Sequence, residues 1–256
     1  MAELWFVGLG LGSERDLSRR AREVLERTPV ILAEEYTSLL APGSLDRLSG
    51  ELGRPIQRLS REELESERPV LEALARSPRV ALLVVGDPFA ATTHTALRVA
   101  AERAGHAWRY LPNASILTAA ASFLGLMHYR FGRTVSIPFP APGFAPTSFL
   151  DGLRENRARG LHTLVLLDLR PTGPAFLTAG EAIGILRARD APRTALPPGA
   201  ELAVVARIGT DTPAAWYGLP ERLVGIDFGP PLHALVVPGG ELHEVEAAAV
   251  ARFRPV

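Results

Sequence analysis

Two glycine-bearing segments and six scattered histidines are where residue type and spacing in this 256-residue chain point to chemistry. Gly8-Leu9-Gly10-Leu11-Gly12 follows an apolar run starting at Leu4. Glycines behind a strand allow a tight turn and close backbone approach to a ligand, the logic of nucleotide-binding loops. A dinucleotide fingerprint wants its third glycine where this chain has Ser13. It also wants an acid near position 28, whereas the first acids after the next strand are Glu34 and Glu35. A purely structural turn therefore stays open beside ligand contact. Gly86-Asp87-Pro88 ends the aliphatic run 80–85, and ligands of open α/β sheets bind outside the carboxyl ends of strands. Asp87 is thus a candidate ligand contact or the organiser of its own turn. His94, His106, His128, His162, His233 and His243 include no pair at helical ligand spacing, so no metal motif is found. His94 falls at a helix start, and His233 follows two prolines and opens an apolar strand. Neither a G-x-S-x-G elbow nor a Walker loop occurs. The absence of cysteine removes thiolate nucleophiles, iron–sulfur clusters, Cys-bound zinc and disulfides.

The elements that must position these residues are strands alternating with amphipathic helices. Strands are expected at 4–7, 30–33, 56–59, 80–85 and 108–111, with helices at 17–27 and 93–104. Ser60-Arg61-Glu62-Glu63 is a capping box opening a helix to about residue 75. Residues 80–85 are aliphatic and uncharged, as in a parallel-sheet strand buried on both faces. In the second half, helices are expected at 115–123, 148–159 and 178–189, with a last one at the C-terminus. Strands are expected at 134–137, 163–169, 202–207 and 234–237. The expected organisation is α/β with two α/β domains, 1–112 and 113–256, divided at Pro112-Asn113. Hydrophobic residues make up 47% of the chain, ample for either core. Net charge is zero, which removes the usual electrostatic case for binding nucleic acid or an anionic membrane. The arginines of the first helix (Arg15, Arg19, Arg20, Arg22, Arg27) read as a solvated face. The N-terminus lacks a basic signal-peptide start, and the run 80–85 is far short of a membrane span, so a cytoplasmic protein is expected. All basic side chains are arginine, and Asn, Gln and Met are scarce. Heat adaptation and a GC-rich genome explain this equally well.

Taken in order, several segments resemble the diphthine synthases. They are Gly8-Leu9-Gly10-Leu11 with Glu14-Arg15-Asp16, Ala33-Glu34-Glu35-Tyr36-Thr37-Ser38-Leu39, and Leu59-Ser60-Arg61-Glu62. Gly86-Asp87-Pro88 with Ala91-Thr92-Thr93-His94, Ala114-Ser115-Ile116 and Phe144-Ala145-Pro146-Thr147-Ser148 continue the series. Gly160-Leu161-His162-Thr163-Leu164 with Leu167-Asp168, Asp227-Phe228-Gly229-Pro230-Pro231 with His233, and Val237-Pro238-Gly239 complete it over essentially the whole chain.

The resemblance implies the tetrapyrrole-methylase (class III methyltransferase) fold, with S-adenosylmethionine (AdoMet) in the cleft between two α/β domains, and a homodimer. It implies an N-methyltransferase acting on the aminocarboxypropyl-histidine of translation elongation factor 2 in diphthamide biosynthesis, by trimethylation in archaeal members, with S-adenosylhomocysteine as product. Carried over position by position, the cofactor contacts are Leu11, Asp87, Ala90, Ser115, Ile116, Leu167, Ile208 and His233. Neither a catalytic side chain nor a metal is implied. Asn113 departs from the usual residue before the Ala-Ser-Ile stretch, Leu232 stands between the prolines and His233, and Ile208 replaces a smaller residue. The rival readings are a Rossmann-type enzyme, a sister methylase acting on a tetrapyrrole, and a non-catalytic module that binds elongation factor 2.

Overall fold

The computed structural model describes residues 1–34, 36–90, 92–141, 143–169 and 176–255; Glu35 and Ala91 of the segments quoted above lie outside them. The chain divides into two compact units, Met1–Ile116 with Gly209–Asp211, and Leu117–Ile208 with Thr212–Val256.

The first unit runs β1 (Glu3–Gly8), α1 (Arg19–Glu26), β2 (Val30–Glu34), α2 (Ser44–Leu52), β3 (Gln57–Leu59), α3 (Arg61–Glu65), α4 (Arg68–Arg76), β4 (Arg79–Val84), α5 (His94–Arg103) and β5 (Ala107–Leu111). Its five strands lie in the order β3-β2-β4-β1-β5, and every pairing is parallel. The aliphatic run at 80–85 is the two-faced strand its sequence predicts. Val80, Leu82 and Val84 pack with Leu4, Phe6, Val70, Leu74 and Leu97, on the side of α4 and α5. Ala81 and Leu83 pack on the opposite side with Ala21 and Leu25 of α1 and Leu45 and Leu48 of α2. Fully burying each such leucine contributes roughly 1.5–3 kcal/mol.

Capping sets the helix starts. Ser18 accepts a hydrogen bond from the Ala21 amide, so α1 begins at Arg19 rather than at residue 17. The Ser60–Glu63 capping box is present in both directions. The single helix expected beyond it is instead two. Glu67 takes a left-handed φ of 60°, and α4 begins with Pro69 in its first turn. In a helix interior that proline would lack a donor and clash with the preceding turn. A further helix beyond those expected, α2, lies between left-handed Gly43 and Gly53.

The second unit runs α6 (Ile116–Leu124), β6 (Val135–Ile137), α7 (Ser148–Ala158), β7 (Thr163–Leu167), α8 (Ala179–Arg189), β8 (Leu202–Ala206), β9 (Ala214–Gly218), α9 (Pro220–Leu223), β10 (His233–Val237) and α10 (Glu244–Ala251). The sheet order is β6-β7-β10-β8-β9; only β6 and β7 are parallel. Its core joins Val165, Val204 and Leu235 to Phe149, Leu150 and Leu153 of α7 and Ile183 and Leu186 of α8. Strand β9, unforeseen in the sequence, pairs with β8.

Glu246 of α10 is fully buried, yet both oxygens are satisfied. Oε1 accepts from the Met127 amide at 2.9 Å and lies 3.1 Å from His162 Nε2; Oε2 pairs with Arg130 and accepts from the His243 amide. Burial alone would raise its pKa. The Met127 and His243 amides and His162 outweigh burial and hold it below the ordinary value. Among the described residues no helix is long and apolar enough to cross a membrane.

Candidate functional site

The strand order creates a place for a ligand in the first unit. From β1 the chain turns into α1 on one face; from β4 it turns into α5 on the other. Adjacent parallel strands whose connections leave on opposite faces form a topological switch point, and the carboxyl ends of β1 and β4 are such a pair. Both glycine segments lie there. The Gly86 amide donates to the Gly10 carbonyl at 2.7 Å, and the Gly10 amide to Gly86 at 3.4 Å. Both residues have φ near +76°, which favours glycine. A Cβ on Gly12 would come within 2.1 Å of the Gly209 carbonyl oxygen. A Cβ on Gly86 would lie 3.7 Å from the Ala114 carbonyl oxygen and 3.8 Å from Leu11 Cδ2. Leu11, the start of the Asp87 loop and the Ala114-Ser115 step therefore converge on one spot.

Polar side chains set the first loop rigidly. Ser13 stands in extended backbone and accepts from the Arg15 amide, so this position needs a capping oxygen and not a third glycine. Asp16 Oδ2 accepts from the Gly12 amide at 2.7 Å. Glu14, nearly fully buried, is held by both arms of Arg47 at 2.8 and 2.9 Å; that guanidinium lowers its pKa to about 2. Asn113 donates to the carbonyls of Gly8 and Asp16 at 3.0 and 3.1 Å and accepts from the Ala114 amide at 2.8 Å. The departure noted at Asn113 thus ties the end of β5 to the end of β1.

The loop after β4 winds around the Pro88 carbonyl. Thr92 Oγ1 donates to it at 2.7 Å, and His94 Nδ1 lies 2.9 Å from it. Half-buried Asp87 does organise its turn: Oδ1 accepts from the Phe89 amide at 3.0 Å, and Oδ2 from the Tyr110 hydroxyl. Tyr110 is pushed up to about 12 by burial and then by the carboxylate beside it. Ala90 closes the same turn by donating to the Asp87 carbonyl at 3.2 Å.

In the second unit Leu167, Ile208 and His233 share one end of the sheet. Leu167 is the last residue of β7 and Ile208 lies two residues past β8. His233 opens β10 opposite Ala206, with Ala234 opposite Leu166. His233 Nδ1 accepts from the Ala179 amide at 3.3 Å, which puts the ring proton on Nε2. That buried N–H lies toward the Pro230 and Gly229 carbonyls but makes no hydrogen bond. Burial, then the Arg207 charge, lower the pKa of His233, keeping it neutral. Arg207, at φ 54°, donates to the carbonyls of Thr212, Phe228 and Pro230 at 3.0, 2.7 and 3.0 Å. It clamps the segment leading into His233.

Of the eight residues singled out in the sequence, Leu11, Asp87, Ala90, Ser115 and Ile116 fall at the strand ends of the first unit, and Leu167, Ile208 and His233 at one end of the second. His233 is buried and the other seven are half-buried, open in part to a ligand. Within the first unit, glycine backbone that admits close approach, the aliphatic side chains of Leu11 and Ile116 and the Asp87 carboxylate suit a largely apolar molecule with a few polar groups. The sequence reading missed Arg207, whose role depends on a loop twenty residues further on. Among the described residues no group of three His, Asp or Glu side chains stands close enough to hold a metal ion.

Comparison with known proteins gives the same family from sequence and from structure. Residues 3–217 match the model of the tetrapyrrole (corrin/porphyrin) methylases. The chain is 41% identical to a diphthine synthase of Methanothermobacter thermautotrophicus, covering 95% of this chain and 92% of that one. It is 37% identical to a diphthine synthase of Methanosarcina mazei, over 98% and 95% of the two chains. The crystal structure of a diphthine synthase superposes with a TM-score of 0.88 at 34% identity, covering 99% of this chain and 97% of the other.

Proposed function

The chain belongs to the diphthine synthase branch of the tetrapyrrole (corrin/porphyrin) methylases, AdoMet-dependent methyltransferases, and on that premise we propose its substrate, product and cofactor contacts. The substrate is translation elongation factor 2 bearing an aminocarboxypropyl-histidine. Its amino group is methylated three times to give diphthine, with S-adenosylhomocysteine released at each round. The observation that carries the cofactor reading is the switch point at Gly10 and Gly86, where backbone is stitched closely and Leu11, the start of the Asp87 loop and the Ala114 carbonyl converge.

AdoMet brings a methyl group already activated on a sulfonium, so the reaction asks for alignment and a neutral amine more than for a nucleophilic side chain. Leu11, Ala90, Ile116, Leu167 and Ile208 supply apolar walls, while Asp87, Ser115 and His233 supply the polar anchors. Arg207 and Asn113 hold the segments that carry them. Positioning of this kind, worth effective molarities of roughly 10⁵–10⁸ M, accounts for most of the rate enhancement. We further propose a cytoplasmic homodimer. The test is mass spectrometry of the modified elongation factor after incubation with the protein and AdoMet. Three added methyl groups, none removed by mild alkali, are expected; an unmodified factor refutes the proposed substrate, and a fourth, alkali-labile methyl refutes the proposed product.

A further inference from the structure

Methylating a primary ammonium to the quaternary stage releases three protons, and none of the residues assigned above has been given the role of accepting them. We infer that His94 is the proton acceptor for the substrate amine, an inference that rests on the methyltransferase reading just given. His94 is buried, at the first position of α5, in the loop that also carries Asp87 and Ala90. The partner of its Nδ1 is the Pro88 carbonyl, which can only accept, so Nδ1 carries the ring proton. In the neutral ring Nε2 is then a bare lone pair. It is buried and has no hydrogen-bond partner among the described residues. A basic nitrogen held in one tautomer by a fixed acceptor on its other side is how a general base is oriented.

The neighbouring polar groups are already committed. The Glu34 carboxylate at the end of β2 accepts from the amides of Tyr36 and Thr37 and from the Thr37 hydroxyl. The Tyr36 phenol is raised to about 12, chiefly by burial. Asp87 is taken by Phe89 and Tyr110. Arg98, one turn along α5, is the exception: its guanidinium stacks over Trp108 at 4.9 Å, but its buried Nε–H has no acceptor among the described residues. His94 lies on the face of α5 shared with Leu97 and Ala101, which pack on the sheet, so its ring stands at the carboxyl-end rim of that layer. In each round an N–H bond of the substrate ammonium breaks and its proton passes to Nε2. The freed amine lone pair forms the N–C bond while the C–S bond breaks, its electron pair staying on sulfur. The imidazolium then returns its proton to water.

The decisive variant is His94→Asn. Its amide nitrogen can take the place of Nδ1 and keep the bond to Pro88, while the basic nitrogen is deleted. Expected results are a melting temperature near wild type, AdoMet affinity by calorimetry within about twofold, and kcat on the modified elongation factor lowered about hundredfold or more at neutral pH. The lost rate should return as pH rises and the amine deprotonates unaided, and with added imidazole. Unchanged kcat with the wild-type pH profile would overturn the inference, and so would a tenfold loss of AdoMet affinity, which would make His94 a cofactor ligand. Nitrogen NMR of labelled wild-type protein tests the geometry independently of any variant. The apo protein should show the Nδ1–H tautomer, with the Nε2 resonance shifting when substrate peptide is added. The opposite tautomer, or an Nε2 resonance indifferent to substrate, overturns the proposal. Wild-type protein that binds AdoMet but leaves the factor unmethylated would refute the substrate, a failure distinct from all of these.

Discussion

Asparagine at position 87 separates two roles that the carboxylate can play at once. In the structure Oδ1 accepts from the Phe89 amide at 3.0 Å and Oδ2 from the Tyr110 hydroxyl. An asparagine keeps an amide oxygen for Phe89 and can donate its N–H to the phenolic oxygen, so the turn survives. The local loss is the difference between charge-assisted and neutral hydrogen bonds, about 1 kcal/mol, a fall of roughly 2–4 °C in melting temperature for a chain of this size. Cofactor binding responds on another scale. A carboxylate that accepts from a ribose hydroxyl or an ammonium contributes roughly 1.5–3 kcal/mol, so AdoMet affinity should fall about ten- to hundredfold. Isothermal calorimetry and a melting scan on the one variant read both numbers. Ultraviolet titration adds an internal control. Tyr110 sits at about 12 because of burial and then because of Asp87, so without that charge the phenol should ionise at lower pH. A variant that releases Tyr110 and melts lower but binds AdoMet within about twofold of wild type would make Asp87 a turn organiser alone and remove it from the cofactor site.

The Glu14–Arg47 clamp should make the first unit acid-sensitive. The Glu14 carboxyl is lowered from 4.5 to about 2, so the stability it contributes is complete above pH 4.5 and lost as pH falls toward 2. With Arg47 half-exposed, Arg47→Gln should lower stability at neutral pH, and the difference from wild type should vanish near pH 2 in denaturant titrations; a pH-independent difference would refute it. Glu246→Ala should be the costliest single change in the second unit, about 3–5 kcal/mol by thermal melting, because it strands Arg130 and buried His162; a loss under 1 kcal/mol would show that the network contributes little. For the proposed homodimer, light scattering at micromolar concentration should give twice the chain mass, and an obligate interface would bury more than about 2,000 Å². A monomer there refutes the dimer.

How much of this was legible in the chain depends on how local each determinant is. The two-faced strand β4 announces itself in an unbroken aliphatic run, and the Ser60–Glu63 box states its own hydrogen bonds. Where local signals compete, reading failed. The capping box argued for one helix, and Pro69, six residues past its Glu63, divided it in two. Helix α2 has helical spacing at Leu45, Leu48 and Leu52, but its N-cap is Gly43, which has no side chain to form the capping bond that marks the starts of α1 and α3. Strand β9 owes its existence to β8, a partner that no window containing only residues 214–218 can display.

The candidate site follows the same rule one level deeper. Glycines at 10, 12 and 86, Asp87 and His233 stand out by type and place, but the sequence left Asp87 divided between turn and ligand. The structure shows the turn contacts without excluding the ligand, since each carboxylate oxygen has a second lone pair to offer. Asn113 and Arg207 gain their roles from carbonyls 105 and 21 residues away, which composition and periodicity cannot reveal. His94 lies between these cases. Its bond to Pro88, six residues back, is local and belongs to the loop's own winding. What makes the residue interesting is the donor that Nε2 lacks, and that absence depends on how the ends of β2, β4 and β5 have already committed their polar groups. A sequence shows which groups a chain owns; only the folded arrangement shows which of them is left over for the reaction.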